Sequence, residues 1–130
     1  MVGLRVGLDL VAVGDVEESV RVHGTRYLGR VFTAREVADC RDRSGTLDPR
    51  RLATRFAAKE AAIKALGVRG EAVPWRCLEV VGDGGMVSVR LSDAAATLAR
   101  SRGITQLAVS LTQTADHAGA VVIARDGGRL

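Results

Sequence analysis

Residues 52–66 gather the side chains of this chain best suited to handling a phosphate and a metal ion. Its basic charge comes from seventeen arginines and only two lysines. Both lysines, Lys59 and Lys64, fall in this window beside Arg55 and Glu60. On a helical wheel, Leu52, Phe56, Ile63 and Leu66 share an arc of about 80°, which predicts the core face. Lys59 projects into that arc with Arg55 beside it. Glu60 and Lys64 lie together at its other edge, one turn apart. Two readings stand. In one, this is an alanine-rich amphipathic helix whose Glu60–Lys64 pair adds roughly a few tenths of a kcal/mol. In the other, Arg55, Lys59 and Lys64 form a phosphate-binding edge, and Glu60 holds a hard cation, which takes oxygen ligands. The second explains a charge in an apolar arc, which must reach a cleft or a partner because burial alone is costly. Asp9 is either a solvated strand residue or the second ligand. Mg2+ takes one or two carboxylates and completes its shell with water and substrate phosphates, so Asp9 and Glu60 suffice for it.

The elements must bring these groups together. Residues 4–11 alternate, with Leu4, Val6, Leu8 and Leu10 on one face and Arg5, Gly7 and Asp9 on the other. This predicts a strand with Asp9 on its polar side. Residues 15–29 read as a helix opened by Asp15, carrying Glu17 and Glu18 and weakened at Gly24. Thr33 and Glu36 have capping-box spacing, for a short helix to about Cys40. Residues 41–50 are polar and read as a mobile basic loop. The strongest helix follows over 50–66, ended by Gly67. Strands are expected at 78–81 and 87–91, a helix at 93–101 capped by Ser92, and final strands at 106–111 and 118–124. The last run, AVVIA, lacks polar alternation, which predicts burial on both faces in the core or in a shared interface.

The chain has 130 residues and 13.7 kDa, enough for one domain. We assign that domain to 1–125 and a tail to 126–130. Hydrophobic residues at 47% and charged residues at 26% exclude a disordered or fibrous chain. The net charge of +4 sits in the first half: residues 1–70 carry 13 basic and 9 acidic groups, and residues 71–130 carry six of each. Such an excess favours an anionic partner: nucleic acid, a phosphate-bearing small molecule or an acidic protein. Aromatics at 3% count against base stacking, and nucleic acid is not the expected partner. Cys40 and Cys77 lack metal-ligand spacing and are expected as packed side chains. His23 and His117 read as surface residues and Trp75 as a packing anchor. The start MVGLRVGLDLVAV reads as neither a signal peptide nor a membrane span, so a cytoplasmic protein with no membrane partner is expected.

Four stretches together resemble the small, single-domain 4′-phosphopantetheinyl transferases of the holo-acyl-carrier-protein synthase type. They are VGLDLV (6–11), RVFTAREVADC (30–40), RFAAKEAAIKALG (55–67) and VSLTQTADHAGAVVIA (109–124). The third is the most specific. The resemblance implies an α+β fold with an antiparallel sheet packed against a long helix. It also implies transfer of the phosphopantetheine arm of coenzyme A to a serine of an acyl carrier protein, with release of 3′,5′-ADP. Mg2+ is the implied cofactor, held by Asp9 and Glu60, and a homotrimer the implied assembly. The implied catalytic residues are Asp9, Glu60 and Lys64. Arg55, Lys59, Lys64, Thr112, Gln113 and Thr114 are the implied coenzyme A contacts.

Three positions depart from the family pattern. Ala12 stands where a Glu is usual, Asp15 where an Arg near the start of the first helix is usual, and Gln113 where a His is usual. These keep a second reading in play: a divergent member that binds coenzyme A or a specialised carrier with little transfer to ordinary acyl carrier protein. A small basic nucleic-acid-binding domain is a third, from a different class. It predicts a steep salt dependence of duplex binding.

Overall fold

A helix over Pro49–Leu66, α4 in chain order, is the spine of the molecule; Leu52 and Leu66 of the expected core arc are fully buried, and burial extends well beyond that arc. The computed structural model describes residues 3–68, 73–83 and 86–127. Before α4 come strand β1 (Gly3–Ala12) and helices α1 (Val13–His23), α2 (Thr25–Val31) and α3 (Ala34–Asp39). After it come a 3-10 turn (Trp75–Cys77), β2 (Leu78–Asp83), β3 (Met86–Leu91), α5 (Asp93–Ser101), β4 (Ile104–Gln113) and β5 (His117–Asp126). The sheet is antiparallel in the order β1-β5-β4, and β2 and β3 form a separate hairpin. The expected class, an antiparallel sheet against a long helix, is observed.

The helix packs through alanine. Ala53, Ala57, Ala58, Ala61, Ala62 and Ala65 are buried, whereas Phe56 and Ile63, two members of the expected core arc, are only half-buried. Small side chains on both partners let the helix approach the sheet closely. Ala118, Ala120, Val122 and Ala124 of β5 are buried in the same core. A Cβ at Gly7 would overlap the carbonyl oxygen of Ala61. Large residues at the helix edge score highly on a wheel, but the short ones set the interface.

Strand β1 alternates as expected, with a sense opposite to that of an ordinary half-buried strand. Leu4, Val6, Leu8 and Leu10 are 62–71% exposed, while Gly7 and Val11 are buried on the helix side. Gly119, Val121 and Ile123 of β5 pair with Leu10, Leu8 and Val6 and extend this open apolar face. The burial expected on both faces of β5 is met on the helix side. On the other side Ile123 stays 41% exposed.

Local differences have local causes. Gly24 takes φ +53° and divides the expected first helix into α1 and α2. The first of these starts at Val13, so Asp15 lies in its first turn and does not cap it. The expected mobile loop is an organised turn. Asp42 Oδ1 accepts from Ser44 N, Ser44 Oγ and Thr46 N at 2.6–3.0 Å, and Arg41 bridges to Leu47. Asp48 then caps α4 by accepting from Arg50 N, and Gly67 closes it at φ 73°. Thr33 and Glu36 form the capping box. Ser92 sits at the start of α5 without a side-chain cap. Strand β5 runs to Asp126, whose carboxylate binds Arg5 at 2.6 Å, so the expected tail loses its first residue to the sheet. Positions 128–130 of that tail lie outside the described residues. Cys40 and Cys77 are buried and unpaired, and burial pushes the Cys40 thiol up to about 11. Among the described residues no helix is long and apolar enough to cross a membrane.

Candidate active site

Asp9 and Glu60 meet where β1 crosses α4. Asp9 lies opposite Ala120, on the strand face turned to the helix. Lys64 Nζ donates to Asp9 Oδ1 at 3.1 Å and to the Leu8 carbonyl at 3.0 Å, tying strand to helix. Asp9 keeps 16% of its side chain exposed and Lys64 52%, so the cluster opens to solvent. No described residue donates a hydrogen bond to the Glu60 carboxylate. Burial raises its pKa above the usual carboxylate value, the Asp9 charge raises it further, and Lys64 opposes both. The sequence groups Asp9, Glu60 and Lys64 are therefore brought together.

The pair suits a hard divalent ion. Among the described residues no group of three or more His, Cys, Asp or Glu could hold a metal. A site with two carboxylates matches Mg2+, which keeps water and phosphate ligands, and falls short of a structural zinc set. A half-buried carboxylate without protein donors, beside a second carboxylate, is the arrangement such an ion neutralises.

A cleft of about 350 Å3 runs along this pair. Tyr27 and Phe56 give it an apolar wall, and Ala12, Asp15 and Ser19 line it too. Burial pushes the Tyr27 hydroxyl up to about 12. Ala12 also borders an adjoining cavity of about 580 Å3 between α1, the start of α4 and the β4–β5 turn. Exposed Glu17 and Glu18 lie on α1 near Asp15, and Glu18 binds Arg21 at 2.6 Å, so Arg21 is already paired.

The expected nucleotide contacts are dispersed. Lys59 is corrected outright. Its side chain is 0% exposed, and its ammonium binds Glu36 Oε1 at 2.7 Å and the carbonyls of Trp75 and Leu78 at 3.0 and 2.5 Å. All three N–H bonds are committed inside the protein, so none remains for a nucleotide. Burial pulls its pKa below the lysine value against the opposing pull of Glu36. Arg55 donates to Thr54 Oγ1 at 3.1 Å and lies against Gly82 of the β2–β3 hairpin, with its buried Nε unpartnered. Thr112 pairs with Gly119 on the open face of the sheet, across from Asp9, because alternate strand residues point to opposite sides. Gln113 ends β4 opposite Ala118. Thr114 serves the turn, where its Oγ1 accepts from His117 N at 3.0 Å. His117 and His23 are exposed, as expected.

Glu36 is the functional-looking residue that sequence reasoning missed. Its capping-box spacing with Thr33 gave it a local role only. The unexplained lysine in an apolar arc was the one signal that a buried carboxylate had to exist. Tyr27 and Phe56 carried no signal as cleft residues.

Known proteins are similar to this chain along most of its length. A model of the 4′-phosphopantetheinyl transferase superfamily matches residues 5–122. Holo-[acyl-carrier-protein] synthase of Moorella thermoacetica is 40% identical over 123 residues, 92% of either chain. That of Chloroflexus aurantiacus is 42% identical over 133 residues, covering 93% of this chain and 97% of its own. The solved ACPS–CoA complex of Chronobacterium ammoniagenes superposes with a TM-score of 0.82 at 31% identity, over 95% of this chain and 98% of that one.

Proposed function

Because the chain belongs to the 4′-phosphopantetheinyl transferase superfamily, we propose that it acts as a holo-acyl-carrier-protein synthase. The reaction moves 4′-phosphopantetheine from coenzyme A to a serine of an acyl carrier protein and releases 3′,5′-ADP. The observation that carries this reading is the junction of Asp9, Glu60 and Lys64 at the edge of an open cleft.

The serine oxygen forms a bond to the β-phosphorus of coenzyme A, and the bond from that phosphorus to the bridging oxygen breaks. Charge spreads over the phosphoryl oxygens in such a transition state, so catalysis is mostly positioning and neutralisation. Asp9 and Glu60 would hold Mg2+, which would supply neutralising charge at the phosphates. Lys64 exchanges its contacts with Asp9 and the Leu8 carbonyl for a phosphate oxygen and stabilises the departing 3′,5′-ADP. Glu60, at the edge of the cleft beside Asp9, assists removal of the serine proton. Tyr27 and Phe56 exclude water from one side.

The assembly in this reading is a homotrimer with shared sites. What supports it is the open sheet face, where Leu4, Val6, Leu8, Leu10 and Ile123 form an apolar patch of the kind that marks an interface. Thr112 lies on that face, so it serves a neighbour's site and not its own. Light scattering at about three times 13.7 kDa is the expected result, and a monomer with full activity overturns the shared site. The reaction itself is tested by incubating apo carrier proteins with coenzyme A, Mg2+ and the protein. A gain of one phosphopantetheine on the carrier is expected. No gain on any carrier overturns the reading.

A further inference from the structure

Of the two lysines, the one that the transfer chemistry does not use is the more fully engaged. Lys59 precedes Glu60 in α4, yet its Nζ ties that helix to three other elements. It binds Glu36 of α3, the Trp75 carbonyl of the 3-10 turn and the Leu78 carbonyl of β2. Glu36 is just as buried and completes the knot. Its Oε1 also accepts from Thr33 N at 2.9 Å, and its Oε2 accepts from Val80 N at 2.8 Å. The knot reaches the cleft through a side chain. The Trp75 ring lies against Phe56, with centroids 5.3 Å apart and planes at 39°. Phe56 lines the cleft with Glu60, one helical turn away.

We infer that Lys59 and Glu36 are positioning residues for the transfer reaction. By holding the backbone at Trp75 and Leu78 against α4, they set the Trp75 ring behind Phe56 and so fix the cleft wall beside Glu60. Neither side chain touches substrate. This rests on the transferase reading. A buried ion pair is weak evidence of stabilisation, since apolar replacements of similar volume are often neutral. Its use here is directional: three N–H bonds fix where the Trp75 segment sits, which apolar packing alone does not specify.

Trp75 is the only tryptophan in the chain, so its fluorescence reports on the proposal directly. In Lys59→Met, the full chain with unchanged circular dichroism should show red-shifted Trp75 emission and greater acrylamide quenching. Its kcat for transfer should fall about tenfold, as expected of a displaced catalytic wall, with KM for coenzyme A within about twofold. Wild-type emission and kcat in that variant overturn the proposal, whatever its melting temperature. Trp75→Ala leaves the Lys59 bonds to main-chain carbonyls intact and removes only the ring, so it covers the case in which Lys59→Met fails to fold. It should reproduce the kcat loss, and wild-type kinetics in it also overturn the proposal. If the wild-type protein modifies no carrier, the transferase reading fails, and the quenching of Lys59→Met still decides whether the pair positions Trp75.

Discussion

Gly7 of β1 lies so close to Ala61 of α4 that a Cβ would overlap the Ala61 carbonyl oxygen. This contact sets the distance between the strand that carries Asp9 and the helix that carries Glu60 and Lys64.

Gly7→Ala must therefore push strand and helix apart. Overpacking of this kind costs about 1–3 kcal/mol, occasionally more. Urea unfolding should show that loss, and transfer activity should fall further than the folded fraction does. Unchanged stability would mean that the sheet can shift without disturbing the site.

Glu60 has a pKa raised in the fold above its ordinary 4.5, mainly by burial and then by Asp9. A raised carboxylate stabilises the fold fully below its unfolded value and loses that contribution as the pH rises through the folded one. Ionised Glu60 is thus a burden on the metal-free protein at neutral pH. Glu60→Gln should melt higher than wild type at pH 7 without Mg2+, and the difference should close towards pH 4. Added Mg2+ should raise the melting temperature of the wild type and not of the variant. A variant that melts lower at pH 7 would contradict this.

Much of this was legible in the residues. The Thr33–Glu36 capping box, the Gly67 stop and the alternation of β1 follow from side-chain types a few positions apart, and each appears in the fold. The Asp9–Lys64 contact joins residues 55 positions apart. It was legible through a motif, since no local rule measures that distance. Lys59 shows the limit. On a wheel it is a cation in an apolar arc, open to a ligand or a buried partner. Only the tertiary packing of α3 and β2 supplies Glu36 and the two carbonyls. The alanine face of α4 was hidden for a related reason: its burial depends on glycine and alanine across the interface.

The open face of the sheet should carry the assembly. Val6 is 62% exposed on that face. Val6→Arg should leave the fold intact and shift the solution mass from three times 13.7 kDa towards a single chain, with transfer activity lost alongside. An active trimer in this variant would move the interface elsewhere.

Asp15 lines the cleft, and Glu17 and Glu18 are exposed nearby. Negative groups there repel an acidic carrier protein and slow its encounter. Asp15→Arg should raise kcat/KM for an acidic carrier at low salt by about threefold to tenfold, and the gain should fade as salt approaches 1 M. An identical salt profile would remove this surface from the encounter.

Transfer should require Asp9 and Glu60 together. The most direct measurement is the intact mass of an apo carrier protein after incubation with coenzyme A and Mg2+, with wild type, Asp9→Ala and Glu60→Ala run in parallel. Both substitutions fall on half-buried positions at the edge of the cleft, and circular dichroism should match that of the wild type. One added phosphopantetheine is expected with the wild type and none with either variant at equal time and concentration. Near-wild-type, Mg2+-dependent modification by either variant would contradict it.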